Sequence, residues 1–190
     1  MKYMVRLLFL LGVAALVAPV YAADELEAGL NAEFFNMGAA LEDFPTIEKD
    51  KKPTVQRIDK TVNYENTDQA WAGLDFKDYF YARWTGVLKV PKDGKYTLFL
   101  NSDDGSRLFI DGKEVVSNGG LHGMEEKSGE VELKAGPHEL KVEFFQNEGG
   151  LGCIFSWQGE GLEKQVVPET VLFHKKEAPA APKEAPKENK

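Results

Sequence analysis

Between Tyr96 and Trp157 the chain alternates apolar and polar residues in short runs, and each run is closed by a turn signal. Tyr96, Leu98 and Leu100 alternate with Thr97 and Phe99. Leu108 and Ile110 flank Phe109, Val131 and Leu133 alternate with Glu130 and Glu132, and Leu140, Val142 and Phe144 alternate with Lys141 and Glu143. Ile154 and Ser156 alternate with Phe155 and Trp157. Successive side chains of a strand point to opposite faces, so each run marks a strand with one buried face. Pro91-Lys92-Asp93-Gly94, Asp103-Asp104-Gly105, Asp111-Gly112, Ala135-Gly136-Pro137 and Asn147-Glu148-Gly149-Gly150 separate the runs. Short strands at this spacing predict an all-β fold, an antiparallel sandwich or barrel. The one stretch that reads as helical is short, Asn66 to Leu74. Residues Leu41 to Asn66 read as a long loop holding one strand, Val55 to Tyr64.

The two ends have a different character. Residues 1–22 carry Lys2 and Arg6 ahead of a short apolar run from Leu7 to Val17, with Val20 and Ala22 at the small-residue positions of a cleavage site. This is the pattern of a secretory signal peptide; the apolar run is too short for a membrane span and no stop-transfer pattern follows. The chain is therefore expected to be exported, to the periplasm, the cell surface or the medium, with no membrane span after cleavage. Residues 175–190 are Pro, Ala, Lys and Glu with no large apolar side chain, which predicts a disordered tail. The folded domain is expected over residues 28–174.

Charge and cysteine content narrow the function. The formal net charge is −8, and removing Lys2 and Arg6 with the leader makes it more negative. So acidic a chain, without a basic aromatic patch, has no general attraction for phosphate backbones, and nucleic acid is excluded as a partner. The single cysteine, Cys153, permits no intrachain disulfide and reads as a buried small apolar residue. None of His122, His138 and His174 has the spacing to a second ligand that a zinc site needs. There is no Gly-x-Ser-x-Gly elbow, no phosphate loop and no nominable pair of carboxylates framing a cleft, so the chain reads as non-catalytic. Trp84 and Trp157 lie inside strand patterns and are expected in the core. Trp71, beside Ala72-Gly73, is the candidate for an exposed aromatic platform. His122, in the glycine-rich loop Gly119 to Gly123, is a candidate ligand contact or a solvated loop residue. His138, in a turn, is expected at the surface.

The stretch Leu100 to Gly112, LNSDDGSRLFIDG, reads as a hairpin whose turn carries one carboxylate more than a turn requires. A capped turn is one account: Asp103 bonds the backbone two residues on, while Ser106 and Arg107 satisfy Asp104. A cation is the other, because a divalent ion relieves the repulsion between adjacent carboxylates. Calcium takes six to eight oxygens, so two aspartates do not suffice alone.

Gly29 to Phe35, the Phe80-Tyr81-Ala82-Arg83-Trp84-Thr85-Gly86 segment, Gly94 to Thr97, Ser102 to Leu108, Ala135-Gly136-Pro137-His138, Phe144-Phe145-Gln146, and Pro168 with Leu172 stand in the order of a known family. Together they resemble the protective-antigen (PA-fourteen) domain, an antiparallel β-sandwich module found in toxins, glycosidases and adhesins. The resemblance implies a binding role, often toward carbohydrate. In the fungal adhesins of this family the sugar is held through a calcium ion, and the two aspartates are joined by a cis peptide. Carried over to this chain, the resemblance implies a Ca2+ site at Asp103, Asp104 and the Asn147 side chain, with the backbone carbonyls of Gly149 and Leu151. The implied partner is a glycan or cell-surface polysaccharide; the alternative is an envelope structural or protein-interaction module.

Overall fold

A computed structural model describes residues 26–176. The expected leader at residues 1–22, and all of the expected tail beyond residue 176, lie outside the described residues. Thirteen strands follow one another: β1 (Leu26–Ala28), β2 (Leu30–Asn36), β3 (Val55–Asp59), β4 (Asn63–Thr67), β5 (Phe80–Val90), β6 (Gly94–Asp103), β7 (Ser106–Ile110), β8 (Lys113–Asn118), β9 (Glu125–Leu133), β10 (Gly136–Gln146), β11 (Leu151–Gly159), β12 (Leu162–Val166) and β13 (Leu172–Lys175). One 3₁₀ turn, Glu169–Val171, precedes β13. Among the described residues no helix is long and apolar enough to cross a membrane.

The strands form two antiparallel sheets. The 8-stranded sheet runs β1-β13-β5-β10-β7-β8, with β2 beside β5 and β3 beside β2. The 5-stranded sheet runs β12-β11-β6-β9, with β4 beside β11. The fold is thus an all-β sandwich. The inward positions of the alternation make the core between the sheets: Leu98 and Leu100 of β6, Leu108 of β7, Val142 and Phe144 of β10, and Phe155 of β11 are all 0% exposed. Full burial of such side chains contributes about 1.5–3 kcal/mol each. A second, smaller cluster lies on the other face of the larger sheet, where Met37, Leu41, Phe44 and Ile47 of the β2–β3 loop cover Phe35, Tyr81 and Phe145.

Several local expectations are corrected. Residues 66–74 form no helix; β4 runs through Thr67, and the chain then turns to plant Trp71 in the core. Trp71 is 4% exposed, stacked on Tyr64 at a centroid distance of 4.0 Å and edge-on to Phe80. It is therefore not a surface platform. An indole meeting this many rings is worth more buried than wet. The single strand expected from Val55 to Tyr64 is two strands in different sheets, since β3 pairs β2 and β4 pairs β11. At the break, the Asp59 carboxylate accepts hydrogen bonds from Trp84 Nε1 at 2.8 Å, Arg57 Nε at 2.7 Å and the Tyr64 hydroxyl.

His138 is buried rather than exposed: Nδ1 lies 2.7 Å from Asp111 Oδ2 and Nε2 lies 2.8 Å from the Lys134 carbonyl. It ties together the turns at one end of the sandwich. The stretch around Asp103-Asp104 is not a hairpin either. Both edges of β6 are taken by β9 and β11, and both edges of β7 by β8 and β10. The turn between β6 and β7 therefore carries the chain from one sheet to the other.

Candidate functional site

Besides β4 to β5, three connections cross between the sheets at the same end of the sandwich: β6 to β7 through Asp103-Asp104-Gly105, β8 to β9 through Gly119–Met124, and β10 to β11 through Asn147–Gly150. Polar residues at inward strand positions tie these corners together. Gln146 continues the Leu140, Val142, Phe144 face and is 0% exposed. Its Oε1 accepts the Asp104 backbone N–H at 3.1 Å, and its Nε2 donates to the Gly150 carbonyl at 2.8 Å. Ser102 likewise continues the Tyr96, Leu98, Leu100 face, and its Oγ lies 2.7 Å from Ser106 Oγ and 3.1 Å from Asn118 Nδ2. The Phe145 N–H donates to the Gly105 carbonyl at 2.9 Å, which closes the first corner onto the third.

The Asp103–Asp104 peptide is cis. Both carboxylates are nearly buried, Asp103 at 8% and Asp104 at 5% exposure, yet their surroundings differ. Asp104 Oδ1 accepts the His122 N–H at 3.1 Å and Oδ2 accepts the Asn147 N–H at 2.8 Å, one donor from each neighbouring corner. Burial still holds its carboxyl above the ordinary range, against these two backbone donors. Among the described residues the Asp103 carboxylate accepts no hydrogen bond and forms no ion pair. Burial, and then the charge of Asp104, push its carboxyl up to about 6, with His122 acting weakly the other way. A side-chain carbon on Gly150 would lie 2.5 Å from Asp103 Oδ2, so the carboxylate packs against this residue as closely as only a glycine allows.

The residues of the capped-turn account are engaged elsewhere. Ser106 bonds Ser102, and Arg107 pairs with Glu143 at 2.5 Å while lying over the Phe44 ring. Of the residues expected around an ion, Asn147 reaches Asp104 through its backbone. Its side-chain Oδ1 accepts the Leu41 N–H at 3.0 Å and its carbonyl accepts the Tyr79 N–H at 2.9 Å. Gly149 sits at the corner's tip with φ 98°, and Leu151, 0% exposed, opens β11 opposite Thr67. His122 meets Asp104 through its backbone; its ring nitrogens face the carbonyls of Gly123 at 2.9 Å and Asn118 at 3.3 Å. Trp71 is far from this role, deep in the core.

Two polar residues of the site escaped the sequence reading. Gln146 had a usable signal, since it is a polar residue in phase with an apolar face. Asn66, whose Oδ1 lies 3.0 Å from the Cβ position of Gly150, had none.

The donor set suits a hard cation. Among the described residues no three His, Cys, Asp or Glu side chains are placed to hold a metal, so an ion here would draw on amide and backbone oxygens besides the two carboxylates. That is the ligand chemistry of calcium rather than zinc. The decisive feature is Asp103: its carboxylate, on a residue only 8% exposed, shares the corner with a second carboxylate and has no donor among the described residues, an arrangement that a positive ion would relieve.

The family is settled by the match of the chain to the PA14 domain model, which covers residues 26–170. This protein belongs to the PA14 domain family. Solved PA14 domains share its architecture. That of the MpAFP antifreeze protein superposes with a TM-score of 0.70 at 14% identity, covering 87% of this chain and 100% of that one. The PA14 sugar-binding domain from an RTX adhesin gives a TM-score of 0.66 at 18% identity, covering 77% and 98%. At such identities the likeness establishes the fold alone. In sequence, the PA14 domain here is 27% identical over 121 residues to anti-sigma-I factor RsgI3 of Acetivibrio thermocellus, covering 62% of this chain and 18% of that protein. The chain thus spans less than a fifth of that relative.

Proposed function

We propose that this PA14 domain is an exported, non-catalytic binding module that holds calcium at Asp103 and Asp104 and recognises a glycan through it. The observation that carries the reading is the Asp103 carboxylate, on a residue 8% exposed, without a donor among the described residues, next to a second carboxylate and packed against Gly150. Asp104 is held by two backbone N–H groups from separate corners, so its position does not depend on a ligand. The remaining oxygens come from the Asn147 side chain and the carbonyls of Gly149 and Leu151. Asn147 Oδ1 accepts one N–H and retains a second lone pair. Bound there, calcium would neutralise the paired carboxylates and offer open coordination positions to sugar hydroxyls. The RTX adhesin PA14 domain binds sugar, which supports a glycan here, as does an epithelial adhesin domain of Candida glabrata in complex with β-lactose (TM-score 0.62, 9% identity).

Thermal melts with calcium and with chelator test the ion, and a glycan array in both conditions tests the sugar. Calcium at a hundred times its dissociation constant adds about 2.7 kcal/mol, a rise of about 5–10 °C in Tm for a domain of this size. Identical melts would remove calcium from the reading. A calcium-stabilised protein with no calcium-dependent glycan hit would leave the envelope protein-interaction module.

A further inference from the structure

Strand β4 is bulged where it passes the Asp103 corner. Its pairing with β11 matches Leu151 with Thr67 and then Cys153 with Tyr64, so Gly152 alone faces both Glu65 and Asn66. A bulge breaks the strict alternation of a strand and re-aims a side chain, and bulges recur beside functional sites. Here the two strands come close: the backbone N and Cα of Asn66 lie 3.2 Å from where a Cβ on Gly152 would be.

The bulge turns the Asn66 amide toward Gly150. Asn66 Oδ1 accepts the Leu151 N–H at 3.2 Å, which orients the amide. The Cβ position of Gly150 lies 3.0 Å from that same Oδ1 and 2.5 Å from Asp103 Oδ2. Oxygens from two different strands therefore press against Gly150 on the side where any other residue would carry its Cβ, a packing that only glycine permits. The Asp103 carboxylate, on a residue only 8% exposed, accepts no hydrogen bond among the described residues. The Asn66 oxygen accepts a single N–H and has a lone pair left.

We propose that Asn66 is a direct ligand of the cation held at Asp103 and Asp104, its side-chain carbonyl serving as a neutral oxygen donor; the assignment rests on the calcium reading above. Side-chain amide carbonyls are ordinary calcium ligands, and a set of two carboxylates needs neutral oxygens to reach six or more. The Leu151 N–H already holds the amide, so little rotamer freedom is lost when an ion arrives. The site then draws on β4 as well as on the sheet-crossing corners, and Gly150 matters for the close approach of both oxygens that it permits.

The test measures calcium affinity by calorimetry, and the water count of bound Eu3+ from luminescence lifetimes in H2O and D2O. It uses the full chain as wild type, Asn66→Ala, Asn66→Asp and Gly150→Ala. Asn66→Ala is expected to weaken calcium roughly tenfold or more and to add about one water to bound Eu3+. Asn66→Asp keeps an acceptor for the Leu151 N–H and should hold the wild-type water count. Gly150→Ala places a methyl 2.5 Å from Asp103 Oδ2 and 3.0 Å from Asn66 Oδ1, displaces both oxygens, and should weaken calcium at least as much as Asn66→Ala, with an unchanged circular dichroism spectrum. A wild type that binds neither ion removes the calcium reading, and this proposal with it. A wild type that binds, beside an Asn66→Ala unchanged in affinity and water count, removes the Asn66 assignment alone. Weaker affinity with no added water also overturns it, because Asn66 would then act only by holding Leu151. Should Asn66→Ala fail to fold, a raised water count in Asn66→Asp, or an unweakened Gly150→Ala, overturns the proposal by itself.

Discussion

The backbone N–H of Asn147 donates to Asp104 Oδ2 at 2.8 Å, joining positions 43 residues apart. Because the donor is the main chain, Asp104 keeps it whatever side chain stands at 147. The Asn147 side chain instead accepts the Leu41 N–H and so ties the corner to the loop covering Phe35, Tyr81 and Phe145. Asn147→Ala leaves that N–H without its partner. The cation-free protein should lose about 1 kcal/mol in urea denaturation, while Asn147→Asp, which retains an acceptor, should lose less.

Asp103→Asn should move stability in opposite directions with and without calcium. The substitution is close to isosteric and removes a buried charge that repels Asp104. The cation-free protein should gain about 1 kcal/mol. The stabilisation that calcium adds to the wild type should be lost in the variant. Paired melts with calcium and with chelator read both effects.

The pH dependence of the cation-free protein follows from the same residue. The Asp103 carboxyl sits at about 6 in the folded state against an ordinary 3.8, so the native protein binds this proton more tightly than the unfolded chain does. Where the native state holds more protons, stability falls as pH rises. Asp103 should therefore favour folding more and more as pH drops from 7 through about 6, with its contribution complete near 3.8. Asp104, also raised, acts in the same direction. The stability gap between wild type and Asp103→Asn, measured in urea at pH 7 and pH 5, should narrow at the lower pH. Calcium affinity should fall over the same interval, since the ion and the proton compete for one carboxylate.

Cys153 should be inert in the native protein. It is 0% exposed between β4 and β6, and burial pushes its thiol far above the ordinary range. A thiol reagent should leave it unmodified in buffer and label it fully in strong denaturant. Labelling in buffer at a rate comparable to a free thiol would contradict the packing around it.

The apolar alternation was enough to read the sandwich, because one buried face per strand is a local property of the residues that carry it. Tyr96, Leu98 and Leu100, or Leu140, Val142 and Phe144, record it directly. Trp71 and His138 were misplaced for the converse reason. Their local context is glycine or turn, and what buries them, the Tyr64 and Phe80 rings in one case and Asp111 in the other, lies elsewhere in the chain. The break between β3 and β4 was missed because Asp59 makes it by meeting Trp84, a residue of another strand.

The residues on their own determined the all-β architecture and the tandem carboxylates as the place to look. Tertiary structure alone decided that Asp103-Asp104 bridges two sheets, that Asp104 is satisfied by two distant corners while the Asp103 carboxylate is left without a donor among the described residues, and that Asn66 and Asp103 meet at Gly150. The physical reason is range. A strand's buried face is written within a few neighbouring residues, whereas the partners of a buried carboxylate come from whichever corners the sheet pairing brings to that end of the sandwich.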